Sequence, residues 1–233
     1  CLIEEARTNL LAYSNDFDNA AWIKADTTVT PNAATAPDGT LTADKLIPST
    51  NAGVAHYVYQ SISSGGTNTL SFYAKAAGVD CVTLKCTIAV ATLANNASFN
   101  LVTGNVVNTP SGYTASMTNA GNGWYRCSMT PNVAVDIAII TASPDGTTFY
   151  YTEDGTSGIY IWGFQLEAAS VASSYIPTTT AAVTRNADLL SYDTANWYAD
   201  GQAGTIQVDA DLVYLDGAAH TFAMYKDNSA TER

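Results

Sequence analysis

The sequence predicts an all-β fold, a β-sandwich, on three observations. Apolar and polar residues alternate with a period of two along many short segments, which is typical of strands with one buried face. Turn signals rich in Gly, Asp and Asn separate these segments at a spacing of roughly a dozen residues, so about eight to ten short strands are expected. No helical period is evident in the sequence.

The clearest strand lies within residues 158–177. Its even-numbered residues are large and apolar, whereas its odd-numbered residues become polar toward Glu167. We therefore expect a central strand whose even face lies in the core and which leaves the core at Glu167, before Pro177 ends regular structure. The expected core face comprises Tyr160, Trp162, Phe164 and Leu166.

The other strands follow from the same alternation. Trp22 is expected to cap one end of the core. After a turn at residues 37–39, we predict strands at residues 42–47, 54–62, 70–76, 82–90, 124–130, 133–139 and 149–152, and two short strands within residues 99–107. The expected inward faces comprise Leu70, Phe72, Ala74 and Ala76, then Val82, Leu84, Cys86, Ile88 and Val90, and later Val133, Val135, Ile137 and Ile139.

Composition and charge restrict the function classes. The chain has 233 residues, of which 47% are hydrophobic and 13% charged, enough apolar residues for one large or two small domains with a buried core. The formal net charge of −12 argues against binding nucleic acid or an anionic membrane surface. Anionic glycans are disfavoured too, unless a local basic patch or a bound cation intervenes. No apolar run is long enough for membrane insertion.

The cysteines indicate thiols rather than a disulfide framework or a zinc site. There are four of them, without a C-x-x-C pair, so zinc-ligand spacing is absent. Cys81 and Cys86 should point to opposite faces of one strand and should not bridge each other. We expect thiols in a protein assembled in a reducing cytoplasm.

Several short motifs follow one another in a set order through residues 1–190. They are LIEEARTNLL at residues 2–11, Asp16-Phe17, Trp22, APDGT at 36–40, ADKL at 43–46, SFYAKA at 71–76, GWYR at 123–126, the strand described above, and VTRNAD at 183–188. This order resembles that of a jelly-roll module recurrent in tailed-phage structural proteins, which is similar to the carbohydrate-binding modules of bacterial glycan hydrolases. The resemblance implies an all-β jelly-roll β-sandwich in a tail or head fibre or spike.

The predicted domain organisation has three parts. Residues 1–178 form the jelly-roll domain, and the Thr- and Ala-rich residues 179–192 form a linker. Residues 193–233 resemble the start of a laminin-G-like or concanavalin-A-like sandwich, which is truncated here and too short for a core of its own. The chain begins at Cys1 rather than Met, so we expect a fragment cut at both ends.

Outward-facing aromatic and basic residues are the candidate carbohydrate site. Sugar rings stack on Tyr and Trp, and polar side chains bind their hydroxyl groups. In the modules that the sequence resembles, the ligand crosses the concave sheet. The alternative is that these rings cover the sheet, contact a neighbouring subunit or fill the core. For Trp124 and Arg126, packing is the preferred interpretation. The candidates are Tyr57, Tyr59, Tyr73, Lys75, Lys85, Trp124 and Arg126.

The resemblance also implies a candidate structural calcium site near the chain ends. Its oxygen ligands would be Asn15, Asp16, Asp18 and Glu167. The alternative is an Asx-rich turn and a solvated glutamate. No other cofactor is expected.

No catalytic centre is indicated. Most acidic residues lie in turn contexts, and no pair of carboxyl groups is marked out for glycoside hydrolysis. The sequence therefore predicts a non-catalytic virion module that binds a host-surface glycan, assembles with other virion proteins and, as in the fibres that it resembles, forms a homotrimer. The alternatives are a purely structural or oligomerising sandwich, or the accessory domain of a depolymerase whose active site lies elsewhere.

Overall fold

Two six-stranded antiparallel sheets form the fold. The structure, a computed structural model, describes residues 3–87 and 95–189. Sheet I has the strand order β10 (Thr114–Gly121), β11 (Trp124–Thr130), β6 (Thr69–Ala77), β13 (Gly158–Glu167), β4 (Ala43–Pro48) and β3 (Thr27–Ala34). Sheet II has the order β2 (Ile23–Ala25), β5 (Tyr57–Ser64), β12 (Val135–Ser143), β7 (Cys81–Lys85), β8 (Asn96–Asn100) and β9 (Asn105–Asn108).

The connections repeatedly cross between the sheets. The chain moves from sheet I to sheet II and back through β4, β5, β6 and β7, and again through β11, β12 and β13. Such crossings are characteristic of jelly rolls. The predicted all-β sandwich is therefore confirmed, and the strand expected to be central, β13, lies between β6 and β4.

The core lies between the two inner faces and is built largely as the alternation predicts. Two of the expected inward faces are buried in one apolar cluster, namely Leu70, Phe72 and Ala74 of β6, and Val82, Leu84 and Cys86 in and after β7. Trp22 lies within this core rather than at its edge, since its ring stacks on Phe164 at a centroid distance of 5.6 Å. Its indole N–H donates to the carbonyl oxygen of Tyr13 at 2.8 Å.

The face expected to fill the core along β13 is only half correct. Ile159 and Ile161 lie in the main core on one side of Gly163, but Phe164 and Leu166 lie there on the other side. The pairing register of β13 with β6 shifts between Trp162 and Gln165, and Gly163 has φ of +62°. This bulge inserts one extra residue and exchanges the two faces of the strand. Tyr160 and Trp162 are therefore on the outer face of sheet I.

A second bulge changes which face of β12 is buried, so the face expected from the sequence is wrong beyond Val135. The register of β12 with β5 shifts between Val135 and Ile137. Val135 lies in the core with Ala138 and Ile140, whereas Ile137 and Ile139 are displaced to the outer face of sheet II. Val133 precedes the strand and is 41% exposed. Both bulges act in the same way, because they move large apolar residues from the inner face to an outer face.

The polar end of β13 is buried, contrary to expectation. Gln165 and Glu167 are both fully buried, and the Gln165 amide donates to a Glu167 carboxylate oxygen at 2.6 Å. The same carboxylate accepts hydrogen bonds from the backbone N–H and the hydroxyl of Ser173. Because each polar group is satisfied inside the protein, this end of the strand stays inside the fold.

The stretch predicted as a linker contains a strand within the described part. Val183–Arg185 forms β14, which pairs antiparallel with β1 (Arg7–Asn9). Residues 178 and 179 accept backbone hydrogen bonds from Ser14 and Tyr13. The chain divides into two units, Cys1–Leu190 and Ser191–Arg233. The predicted second sandwich at residues 193–233 and the rest of the predicted linker lie outside the described residues, as do Ile88 and Val90.

The cysteines in the described part are free and buried. These are Cys81, Cys86 and Cys127. Cys86 belongs to the main core, whereas Cys81 does not, in keeping with their expected opposite faces. Burial raises the pKa of the Cys81 thiol to about 11. As for membrane crossing, none of the described residues forms a helix of the length and apolar character that a span requires.

Candidate functional site

The outer face of sheet II carries an open groove of about 470 Å³. It runs across β2, β5, β12 and β7, and a part of the loop after β12 borders it. The lining residues are Ala25, Asp26, Gly53, Val54, Ala55, Tyr57, Tyr59, Ser61, Lys85, Thr87, Ile137, Ile139 and Tyr150.

Paired tyrosines dominate the β5 side of the groove. Tyr57 and Tyr59 flank the core residue Val58, so strand alternation places both rings on the outer face. Their ring centroids are 5.8 Å apart, with an interplanar angle of 44°. Ile139 lies directly opposite Tyr59 on β12, on the face to which the bulge displaces it. The result is a continuous platform of aromatic and aliphatic surface.

A cation lies next to this platform. Lys85 is the last residue of β7 and is opposite Ile139, on the other side from Tyr59. Its ammonium nitrogen lies 4.9 Å from the centroid of the Phe149 ring, and its side chain is buried. Burial lowers the pKa of Lys85 to about 8, since the charged form loses hydration there.

The loop after β12 is held firmly beside the groove. The Tyr151 hydroxyl donates to the carbonyl oxygen of Ala142 at 2.7 Å, and Tyr151 forms a backbone bridge with Val54. The ring nitrogens of His56 contact the carbonyl oxygens of Asp26 and Tyr151. His56 therefore has a structural role. These contacts position Tyr150, which is 54% exposed, at the rim of the groove.

The arrangement suits a sugar chain. Tyrosine and isoleucine side chains offer a surface on which the C–H face of a pyranose ring can lie, while hydroxyl and ammonium groups can bind its oxygens. Among the described lining residues, Asp26 is the single carboxylate, and one of its oxygens accepts a hydrogen bond from the Asn51 amide at 2.6 Å. A pair of carboxyl groups facing each other, which glycoside hydrolysis requires, is not formed by these residues.

The structure divides the predicted carbohydrate-binding residues between two sheets. Tyr57, Tyr59 and Lys85 line the groove on sheet II. The others, Tyr73, Lys75, Trp124 and Arg126, belong to β6 and β11 of sheet I. They cannot contact the same ligand as the groove residues, because the core separates the two outer faces. The expectation that outward tyrosines and lysines share one concave face was therefore wrong.

The residues of sheet I are engaged in packing. Trp124 and Trp162 are buried in a second apolar cluster that also contains Tyr73, here called the outer aromatic cluster. The Trp124 indole N–H donates to the carbonyl oxygen of Thr35 at 3.1 Å. The guanidinium carbon of Arg126 lies 5.5 Å from the centroid of the Tyr73 ring, and Arg126 donates to the carbonyl oxygen of Ser173. Packing, the preferred alternative for Trp124 and Arg126, agrees with these contacts.

Sequence reasoning missed most of the groove residues, among them Thr87 and the large side chains of Ile137, Ile139 and Tyr150. Ile137 and Ile139 were expected inward, and no local signal marks the bulge that displaces them. Tyr150 was expected in a short strand, but it lies in the loop outside the named strands. A hint was available for Tyr150, because it follows the turn signal Pro144-Asp145-Gly146 closely.

The predicted calcium ligands do not come together as a site. Within the described part of the chain, no group of three or more His, Cys, Asp or Glu side chains is placed to hold a metal ion. Glu167 is occupied by Gln165 and Ser173. Asp16 accepts a hydrogen bond from the Asn19 amide at 3.3 Å, as expected for the alternative of an Asx-rich turn.

Comparison with known proteins gives only distant likenesses. No family model and no curated protein matches the sequence. Among solved structures, the enzymatically active domain of tailspike protein 4 of bacteriophage CBA120 is similar at 19% identity and a TM-score of 0.37. The match covers 68% of this chain and 21% of that one, so this chain spans about a fifth of the length of that tailspike domain.

Two further structures contain carbohydrate-binding modules. A mutant of a family 29 carbohydrate-binding module is 12% identical, with a TM-score of 0.40, and the match covers 70% of this chain and 92% of that one. Two modules of a Clostridium thermocellum xylanase, complexed with xylohexaose, are 16% identical, with a TM-score of 0.35 and coverage of 68% and 27%. At TM-scores this low, none of these likenesses identifies a shared site or ligand.

Proposed function

We propose that this protein is a non-catalytic carbohydrate-binding module and that it binds a glycan in the groove of sheet II. The observation that carries this proposal is the platform of Tyr57, Tyr59 and Ile139 in an open groove. Tyr57 and Tyr59 are half-buried, and a contiguous apolar patch that solvent can reach commonly marks a binding site. A sugar ring matches such a platform in both size and polarity.

The setting of the module is part of the same proposal and rests on the motif order in the sequence. In that setting the module belongs to a fibre or spike of a phage virion, assembled in the cytoplasm of the bacterial host. Its partners are a glycan of the host surface and other virion proteins, and the fibre is a homotrimer. The groove would then contribute to host recognition.

Substitution of the platform tests the proposal. We expect the purified chain to bind members of a bacterial glycan array saturably, and Tyr57→Ala and Tyr59→Ala each to weaken this binding by at least about tenfold, or about 1.4 kcal/mol. The matched control is Tyr73→Ala, which removes the same side chain from the outer face of sheet I. Affinities should be measured by calorimetry on the glycan that the array selects.

Unchanged binding in the groove variants, or equal loss in Tyr73→Ala when all variants remain folded by circular dichroism, would contradict the assignment. Absence of binding by the folded chain would instead favour a structural sandwich. In that case sedimentation of the groove variants should show weakened self-association.

A further inference from the structure

Lys85 is a largely buried lysine whose ammonium group forms no ion pair within the described part of the chain. The residue as a whole is 6% exposed. The ion pairs in that part are Arg7 with Glu5 and Arg185 with Glu4, whereas the Lys85 ammonium group lies against the Phe149 ring. Buried charges in proteins are normally paired, because removing an ammonium group from water is costly. A largely buried lysine that lacks such a partner and lines a groove therefore points to a ligand.

The surroundings of Lys85 offset only part of this cost. The face of the Phe149 ring lies against the ammonium group, and a cation–π contact recovers some of the lost hydration. Desolvation lowers the pKa of Lys85, and none of the carboxylates in the described part of the chain forms an ion pair with it. An anion that enters the groove would supply the missing partner.

Thr87 adds a second unpartnered group. Its hydroxyl oxygen is buried and forms no hydrogen bond with the described residues, and Thr87 lines the same groove as Lys85. One residue, Cys86, separates them along the chain. An ammonium group and a hydroxyl that line the same groove can each donate to an oxygen of one carboxylate.

We infer that the groove is specific for an acidic glycan, in which Lys85 and Thr87 bind the carboxylate of a uronic-acid residue while Tyr57 and Tyr59 contact a neighbouring sugar ring. This inference rests on the proposed function and names its substrate class. A neutral sugar could accept a hydrogen bond from Lys85, but only an anion neutralises the buried charge.

The net charge of the protein makes this recognition short-ranged. The chain carries a formal charge of −12, and Asp26 lines the groove, so an acidic glycan is repelled at a distance. Salt screens such long-range repulsion more than it screens a buried contact. Affinity for an acidic glycan should therefore stay constant or rise between about 0.05 and 0.5 M salt, whereas binding to a surface patch of lysines would weaken.

Paired glycans test the inference. An array carries acidic bacterial oligosaccharides, each beside its carboxyl-reduced neutral form. The proteins compared are the unaltered chain, Lys85→Met and Lys75→Met. The last is a matched control, because it makes the same change on sheet I, where the Lys75 ammonium donates to the carbonyl oxygen of Asn122 at 2.8 Å. Urea unfolding of each variant reports on stability.

The unaltered chain and Lys75→Met should bind the acidic members at least about tenfold more tightly than the reduced ones. Lys85→Met should lose this preference. Its unfolding midpoint should be unchanged or higher, because the substitution removes a buried charge that has no partner. A merely structural lysine would instead lower the midpoint.

Two results would overturn the inference alone. One is a preference of the unaltered chain for neutral glycans that Tyr57→Ala abolishes, which leaves the proposed function standing. The other is an acidic preference that survives in Lys85→Met. Failure to bind any member of the array would overturn the proposed function together with the inference.

Discussion

At the scale of single residues, buried ionisable side chains show how stability depends on pH. Asp44 is buried in β4, where its two carboxylate oxygens accept hydrogen bonds from the backbone N–H groups of Phe17 and Asn32, at 2.8 and 2.9 Å. Burial nevertheless raises its pKa to about 6, because desolvation of the charged form outweighs these two bonds. Asp44 thus anchors the chain before β2 to sheet I at an energetic cost near neutral pH.

This cost predicts a pH dependence of stability. The pKa of Asp44 is higher in the folded state than its ordinary value of 3.8, so the folded state binds the proton more tightly. The stabilisation is complete below about pH 4 and is lost as the pH rises through about 6. Relative to Asp44→Asn, the unaltered chain should lose on the order of 2–3 kcal/mol of unfolding free energy over that window.

Urea denaturation of both proteins at several pH values measures this difference, and other titrating groups cancel in the comparison. Asp44→Asn should be less stable at low pH, since an amide offers only one acceptor atom to the two N–H donors. A difference that is independent of pH, or that grows with pH, would contradict the raised pKa.

At the scale of elements, the bulge in β13 controls what the outer face of sheet I carries. Gly163 adopts φ of +62°, a region that costs other residues roughly 1 kcal/mol or more. A methyl group there would lie 3.2 Å from the Tyr73 ring and 3.3 Å from the Tyr175 ring. The glycine therefore permits both the bulge and the close packing of the outer aromatic cluster.

Substitution of Gly163 separates the cost of backbone strain from the cost of displacing the Tyr73 and Tyr175 rings. Gly163→Ala should lower the unfolding free energy by about 2–4 kcal/mol, from backbone strain and displacement of the two rings. The control Gly66→Ala has φ of +77° and nothing within 4 Å of the added atom, so it should lose only about 1 kcal/mol. Equal losses in chemical denaturation would show that the ring contacts do not matter.

At the scale of the described unit, the two ends of the chain segment are joined. β14 pairs with β1, and the hydroxyls of Thr8 and Thr184 are 2.8 Å apart. Arg185 forms an ion pair with Glu4, whose other carboxylate oxygen accepts a hydrogen bond from the backbone N–H of Ser174. These contacts explain why residues 179–189 belong with the sandwich and do not act as a free linker.

Truncation tests this junction. The reference is a chain ending after Leu190, which retains β14. A chain ending after residue 182 should lose about 1–3 kcal/mol of unfolding free energy with the β1–β14 ladder and the Glu4 ion pair. Arg185→Met in the longer chain isolates the ion pair. Identical stability of both truncated forms would mean that β14 contributes nothing.

Much of the sandwich is predictable because strand alternation is local. β6 and β11 match their expected positions, whereas β7 ends at Lys85, short of the expected strand at residues 82–90. The inward sides of β6 and of the described part of β7 are correct. The groove is predictable in part: Tyr57, Tyr59 and Lys85 stand out as outward polar or aromatic residues, whereas Ile137, Ile139 and Tyr150 do not. Ile137 and Ile139 were missed because a shift in strand pairing changes which face of β12 is buried, whereas Tyr150 was missed because it lies in a loop.

Local alternation and turn residues are thus enough to specify an all-β sandwich, its central strand and most of its core, since each depends on neighbours along the chain. Tertiary pairing alone decides which side of β12 and β13 is buried after a bulge, because the register is set by a partner strand far away in sequence. It also decides that Tyr57 and Lys85 share a groove while Tyr73 and Trp124 pack on the opposite sheet. Which strands lie next to each other depends on how the sheets assemble, so it cannot be predicted from any single segment.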